Sequence, residues 1–202
     1  EGVKSLHQIE HKVMPDRIVT GTYLSAAAIT GGEVLLSNVN PNHIQAITSK
    51  LREAGCIILE ERDKIYLKAP KKLKNIDIIR TQPYPGFPTD MQAQMMATLT
   101  VASGTSIITE TVFESRYKHV EELIRMGASI TLEGRTAIIK GVDSLTGTNV
   151  YAKDLRGGAA LIIAGLAAQG VTIVDGSKHI ERGYEQIDKD LNTLGASIKK
   201  ES

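Results

Sequence analysis

The chain has 202 residues, room for one large domain or two small ones, and its 24 Lys and Arg against 23 Asp and Glu leave a formal charge of +1. That balance excludes a broad basic face for nucleic acid, and the absence of Trp with only two Phe removes a base-stacking surface. A single cysteine, Cys56, excludes an internal disulfide framework and fits a reducing compartment.

The first segment, EGVKSLHQIEHK, is charged and polar and has no signal-peptide pattern, so a cytoplasmic location is expected. A helix follows over Thr22–Ile29, mostly apolar, and a glycine leads into the strand EVLLSNV. Ile44, Ile47, Leu51 and Ala54 recur at spacings of 3, 4 and 3, which predicts an amphipathic helix ended by Gly55. Two strands come next, CIILEE and DKIYLKAP. PGFPTDMQAQ then brings two prolines and a glycine up to Asp90, where a second apolar helix is expected over Asp90–Ala102. TSIITET is the next strand, and LIRMGA closes another outer helix at Gly127. Strands ASITLE and RTAIIKGV follow. A third apolar helix is expected over Asp154–Ala168. Its core, GGAALIIAGLAAQG, is shorter than the ~20 residues a bilayer-spanning helix needs, so no membrane role is expected. Tyr184, Ile187, Leu191 and Leu194 repeat the 3-4-3 spacing, and ASIKKE is expected to form the last strand.

These elements are three copies of one unit. LREAGC, LIRMGA and LNTLGA set glycines at positions 55, 127 and 195. AAAITGGEVLLS, TLTVASGTSIIT and AGLAAQGVTIVD form a second set at matching spacing. The units run over about 16–80, 81–152 and 153–202, with residues 1–15 as the end of a preceding unit. Apolar first helices belong inside, half-polar second helices outside, and the strands between them make an α/β fold with internal threefold pseudosymmetry. EGVKSLHQIEHKV resembles KGVDSLTGTNVYA at the close of unit two, while unit three lacks the strand that follows in the other two. The chain is therefore expected to be a piece of a longer protein.

Cys56 fills the slot taken by Ala128 and Ala196, a small packing position. None of the five histidines stands at metal-ligand spacing from another His or Cys, and no metal or cofactor is expected. Asp90 and Asp154 lie at starts of apolar helices, where an acid is ordinarily an N-cap. Arg156, a cation in a helix's first turn, opposes the helix dipole and requires a compensating anion. Arg116 and Arg182 fall in loops between a strand end and the next outer helix, where α/β sheets bind ligands. Three arginines at corresponding ends of the units point to a shared phosphate or carboxylate site.

VMPDRIVTGTYLSAAA, PGFPTDMQAQ, TVFESRYKHVEELIRMGA, DLRGGAALIIAGLAAQG and HIERGYEQIDKDLNTLGA closely resemble the carboxy-terminal part of the bacterial UDP-N-acetylglucosamine enolpyruvyl transferase family. The resemblance runs through the whole chain. It implies one domain of a two-domain enzyme, each domain built from three βαβαββ units as an inside-out α/β barrel, with ligands in the cleft between them. It implies transfer of the enolpyruvyl group of phosphoenolpyruvate to the 3-hydroxyl of UDP-N-acetylglucosamine with release of phosphate, the first committed step of peptidoglycan synthesis. By the same resemblance Asp90 is the base facing the sugar hydroxyl, and Val112 contacts the sugar nucleotide. Arg116, Arg156 and Arg182 serve the phosphoenolpyruvate side or the intermediate, and Asp154 assists elimination. A mobile loop with a reactive cysteine belongs to the other, amino-terminal domain, which makes that domain an obligatory partner. This chain alone is expected to be inactive. A shikimate-pathway enolpyruvyl transferase would carry a different phrase where this chain has FESRYKHV. A non-catalytic anion-binding repeat module would explain Gly55, Gly127 and Gly195 but not the acids and arginines at the helix starts.

Overall fold

In the computed structural model, which describes residues 2–201, Asp16 opens the first helix. Glu1 and Ser202, the outermost residues of the expected domain, lie outside the described residues. The Asp16 carboxylate accepts from the main-chain N–H groups of Ile18 (2.7 Å) and Val19 (3.2 Å), satisfying two donors that an uncapped helix leaves open. Helix α1 (Arg17–Ile29) therefore starts five residues earlier than its apolar stretch predicts. It is followed by β1 (Glu33–Ser37), a 3-10 turn at Pro41–His43, α2 (Gln45–Glu53), β2 (Ile57–Glu60) and β3 (Lys64–Lys68).

After β4 (Ile78–Arg80) the order is repeated by a 3-10 turn at Thr89–Met91, α3 (Gln92–Leu99), β5 (Thr105–Thr109), α4 (Val120–Arg125), β6 (Ser129–Glu133) and β7 (Thr136–Lys140). Then come β8 (Leu145–Thr146) and β9 (Asn149–Tyr151), at the close of the expected second unit, followed by α5 (Leu155–Ala167), β10 (Ala168–Gln169), β11 (Ile173–Asp175), α6 (Ser177–Ile180) and α7 (Ile187–Thr193).

Helices α1, α3 and α5 pack against one another, each touching the other two. Small residues on them, among them Ala26, Ala93, Ala97 and Ala160, are buried and let the three backbones approach. Sheets cover this trio from outside. One has the order β1-β3-β2, all antiparallel, and a second the order β4-β5-β7-β6, with a parallel β4–β5 pair. Alternation decides which way each strand faces: Ile65 and Leu67 in β3, and Ala137 and Ile139 in β7, point inward and are fully buried. The outer helices add Ile47, Leu51 and Leu123 to the same core. Truncating a side chain as enclosed as Leu51 to alanine would cost roughly 2–5 kcal/mol.

The three phrases ending in glycine terminate their helices identically. Gly55, Gly127 and Gly195 adopt φ of 98°, 91° and 97°, a region open to glycine and costly for any residue with a Cβ. In each case the next residue donates back across the turn: Cys56 to Leu51, Ala128 to Leu123 and Ala196 to Leu191, all at 3.0 Å. Cys56 is buried in that small slot, and burial pushes its thiol up to about 11, which leaves it unreactive at neutral pH. Gly141 answers a different demand, because a Cβ there would lie 1.5 Å from the carbonyl oxygen of Ala102.

The expected strand ASIKKE does not form: residues 196–201 carry no strand. In the other units that strand pairs with an antiparallel neighbour, β2 with β3 and β6 with β7. Among the described residues β11 pairs only with β9, so no ladder lies where residues 196–201 could join it. An open groove of about 1130 Å³ remains there, lined by Ala27, Ile162, Leu166, Ile187 and Ile198 among others. Residues 2–16 carry no helix or strand, and Leu6 is exposed whereas its counterpart Leu145 is fully buried. Among the described residues no helix is long and apolar enough to cross a membrane. No group of three or more His, Cys, Asp or Glu side chains among them could hold a metal ion.

Candidate functional site

The start of α3 differs from the other two inner helix starts. Pro88 occupies the cap position with no side-chain hydrogen bond, and the chain passes through the turn Thr89–Met91 before α3 begins. Asp90 thus sits inside the turn, and its carboxylate is free to face outward. The capping expected of Asp90 is not observed, because its oxygens are engaged elsewhere. Asp154 does cap α5, accepting from the Gly157 N–H at 2.8 Å.

Two arginines converge on Asp90. Arg116, in the loop between β5 and α4, donates from Nη2 to Asp90 Oδ1 at 2.6 Å and from Nη1 to the Thr89 hydroxyl at 2.9 Å. Arg156, in the first turn of α5, donates to Asp90 Oδ2 from Nη2 (3.1 Å) and from Nε (3.3 Å). The anion that a cation at a helix start requires is therefore supplied by the neighbouring unit. Burial opposes ionisation of Asp90, yet the hydrogen bond from Arg116 and the charges of both arginines outweigh it and hold the carboxyl below its ordinary range. At neutral pH the cluster is one carboxylate between two guanidiniums, with a net positive charge.

Behind it lies a buried polar knot. Arg156 Nη1 reaches the Tyr184 hydroxyl at 3.2 Å, and its guanidinium carbon lies 5.6 Å from the Tyr184 ring centroid. That hydroxyl is 2.7 Å from the hydroxyl of Thr22, and Gln94 Nε2 donates to both at 3.3 Å. Thr22, Gln94 and Tyr184 are all buried and come from units one, two and three. In front, Phe113 is half exposed with the Arg116 guanidinium 4.7 Å from its ring centroid, and Val112 beside it is 42% exposed. Both main-chain N–H groups donate to Glu110 Oε1, at 3.1 Å from Phe113 and 2.8 Å from Val112.

Asp90, Arg116 and Arg156 thus stand together. Asp154 lies two residues before Arg156, occupied as a cap. Arg182 is exposed on the turn after α6, in no ion pair among the described residues. Its neighbour Gly183 approaches Arg156, since a Cβ there would lie 3.5 Å from Arg156 Nη1. Sequence reasoning missed Thr89, Glu110, His119 and Tyr184. His119 is fully enclosed between Tyr117, 6.5 Å away ring to ring, and Gly157 at the start of α5. Burial pushes its imidazole down to about 4, the Arg116 charge adds to that, and Asp154 pulls the other way. Tyr184 was legible only as an apolar position of a 3-4-3 pattern, and in the structure it precedes α7.

A family model described as EPSP synthase (3-phosphoshikimate 1-carboxyvinyltransferase) matches residues 1–191. Among curated proteins, the chain is 54% identical over 198 residues to UDP-N-acetylglucosamine 1-carboxyvinyltransferase 2 of Caldanaerobacter subterraneus subsp. tengcongensis, covering 98% of this chain and 48% of that protein. It is 52% identical over 201 residues to UDP-N-acetylglucosamine 1-carboxyvinyltransferase of Myxococcus xanthus, covering 100% of this chain and 48% of that one. The chain thus spans about half the length of the curated relatives it matches. Among solved structures, the enolpyruvyl transferase NikO from Streptomyces tendae superposes with a TM-score of 0.82 at 24% identity, over 93% of this chain and 44% of that one. EPSP synthase from Acinetobacter baumannii superposes with a TM-score of 0.68 at 20% identity, over 95% and 45%. At those identities the two structures speak for the fold alone, which is that of enolpyruvyl transferases.

Proposed function

We propose that this chain, which belongs to the EPSP synthase (3-phosphoshikimate 1-carboxyvinyltransferase) family, forms the carboxy-terminal domain of a UDP-N-acetylglucosamine 1-carboxyvinyltransferase. The whole enzyme would move the enolpyruvyl group of phosphoenolpyruvate to the sugar 3-hydroxyl and release phosphate. The observation that carries the reading is the Asp90–Arg116–Arg156 cluster, a carboxylate and two guanidiniums at one surface of a fold shared with enolpyruvyl transferases. The curated relatives above half identity are named for UDP-N-acetylglucosamine, which favours that acceptor over shikimate 3-phosphate.

The proposed chemistry is addition followed by elimination. The hydroxyl proton must be removed, the methylene carbon protonated, and the phosphate and carboxylate of phosphoenolpyruvate held by cations. Asp90 takes the hydroxyl proton. Its pairing with Arg116 and Arg156 keeps it ionised but weakly basic. An incoming phosphate or carboxylate competes for the same guanidiniums, and as they turn toward it Asp90 gains basicity. Arg182, exposed next to Arg156, adds a third cation for the departing phosphate. Asp154 anchors the helix start that carries Arg156 and assists elimination from there. Val112 and Phe113 offer main chain and apolar surface to the sugar nucleotide. The amino-terminal half supplies the facing wall of the cleft.

The test is phosphate release by the enzyme assembled from this chain and its amino-terminal half, given phosphoenolpyruvate and either acceptor. Release is expected with UDP-N-acetylglucosamine and not with shikimate 3-phosphate, and neither half should turn over alone. Release with shikimate 3-phosphate only would overturn the assignment.

A further inference from the structure

We propose that Glu110 is a positioning residue for this site, setting the Arg116 guanidinium through the Thr89 hydroxyl and the Val112–Phe113 turn through two main-chain N–H groups. This rests on the function proposed above. Glu110 ends the strand stretch TSIITE and is 1% exposed, with no cation bonded to it among the described residues. A carboxylate in that setting is costly unless both oxygens are satisfied. Oε1 accepts from the Thr81 hydroxyl (2.8 Å) and from the Val112 and Phe113 N–H groups, and Oε2 accepts from the Thr89 hydroxyl (2.8 Å). Burial alone would push the carboxyl up, and these hydrogen bonds reverse that, keeping Glu110 ionised.

The polarity of the chain of bonds is what matters. A hydroxyl has one proton to donate. Thr89 gives its proton to Glu110, so its lone pairs are left facing Arg116 Nη1, 2.9 Å away. Donation to an anion also makes the Thr89 oxygen a better acceptor. Arg116 is then fixed on one side by Thr89 and on the other by Asp90, and is backed by the ring of Phe113, whose N–H is held by the same Glu110. A buried acid used only for packing would need none of this directionality. Among the described residues Glu110 makes no hydrogen bond to Asp90, Arg116 or Arg156, so it acts through Thr89 and the Val112–Phe113 turn.

Glu110→Gln reverses the polarity. With the amide oxygen kept on the three-donor side, an NH₂ group faces Thr89 and competes with Arg116 for its lone pairs. Thr89→Val removes the relay while keeping the shape, and Thr89→Ser preserves it. In the complete enzyme, each of the first two is expected to lower kcat/KM about tenfold or more, as misplacement of a substrate-orienting group does. The double variant should be no worse than the poorer single, and Thr89→Ser should stay within about threefold of wild type. NMR of the Arg116 guanidinium protons is the independent readout: slowed rotation in wild type and Thr89→Ser, lost in Glu110→Gln and Thr89→Val. Losses that multiply in the double variant, or wild-type kcat/KM in Thr89→Val, overturn the proposal even if Glu110→Gln fails to fold. An enzyme that releases no phosphate yet loses Arg116 ordering in the same variants would refute the function and leave the positioning role standing.

Discussion

His119 makes the stability of the chain depend on pH. It is buried, with Nε2 lacking a hydrogen-bond partner, while none of the other four histidines is buried. Its folded value is about 4 against 6.5 for an ordinary imidazole, because burial disfavours the cation. Between those values the unfolded chain binds a proton that the folded chain refuses, so stability falls as pH falls from 6.5 toward 4. At ~1.4 kcal/mol per pH unit the full effect is about 3 kcal/mol, and about 2.5 kcal/mol of it is reached by pH 4.5. Set against a total stability of order 5–15 kcal/mol, that is a large fraction. Asp90 and Glu110 act in a different range: their contribution is fully present above ordinary values of 3.8 and 4.5 and is lost as pH falls through their lower folded values. Urea unfolding followed by circular dichroism at pH 7.5 and 4.5 reads the difference. With a slope of ~2 kcal/mol per molar, the wild-type midpoint should drop by roughly 1 M, and His119→Gln, which cannot titrate, should lose most of that drop. If wild type and His119→Gln showed the same change in midpoint, the imidazole would be bearing its proton in the folded state and the burial argument would fail.

Asp90→Asn in the complete enzyme is expected to lower kcat by about 10²- to 10⁴-fold without loss of folding, since Asp90 makes no capping bond. Steady-state phosphate release checks it, and turnover within a few-fold of wild type would demote Asp90 to an ion-pair partner. Asp16→Ala is the contrasting case, with a melting temperature lowered by loss of a cap worth about 1 kcal/mol. Gly127→Ala should cost about 1 kcal/mol in chemical denaturation, since nothing crowds the added Cβ and only the positive φ resists it. Gly141→Ala should cost far more, because its Cβ would collide with main chain.

Features set by neighbours in the sequence were legible there. The LxxxG phrases announced three helix ends, and Leu51, Leu123 and Leu191 accept the closing hydrogen bonds. The apolar inner helices and the small slot of Cys56 could be read the same way. Features decided across units could not. Tyr184 looks like any core aromatic until its hydroxyl is found beside Thr22, 162 positions away in the chain. Glu110 reads as an acid at the end of a strand, ordinarily exposed, and only the loop that folds back from Val112 and the turn at Thr89 enclose it. ASIKKE follows its glycine as CIILEE and ASITLE follow theirs, but a strand exists by virtue of its partner.

The three inner helix starts show how a pseudosymmetric scaffold can hold chemistry. Asp16, Asp90 and Asp154 each stand at the head of an inner helix, and two of them cap. A cap is worth about 1 kcal/mol and consumes a carboxylate oxygen. At Asp90 the prolines and the 3-10 turn place the acid two residues past the cap position, which Pro88 occupies. That forgoes the capping energy and leaves both oxygens to Arg116 and Arg156. The two partners come from different units, and Arg156 is braced by Tyr184, whose hydroxyl meets Thr22 of unit one. The candidate base is thus oriented only when all three units have docked. A substitution that loosens the packing of α1 on α5 should weaken the site even though α1 contributes no residue that faces it. Turnover would then be lost at denaturant concentrations where the helices are still intact.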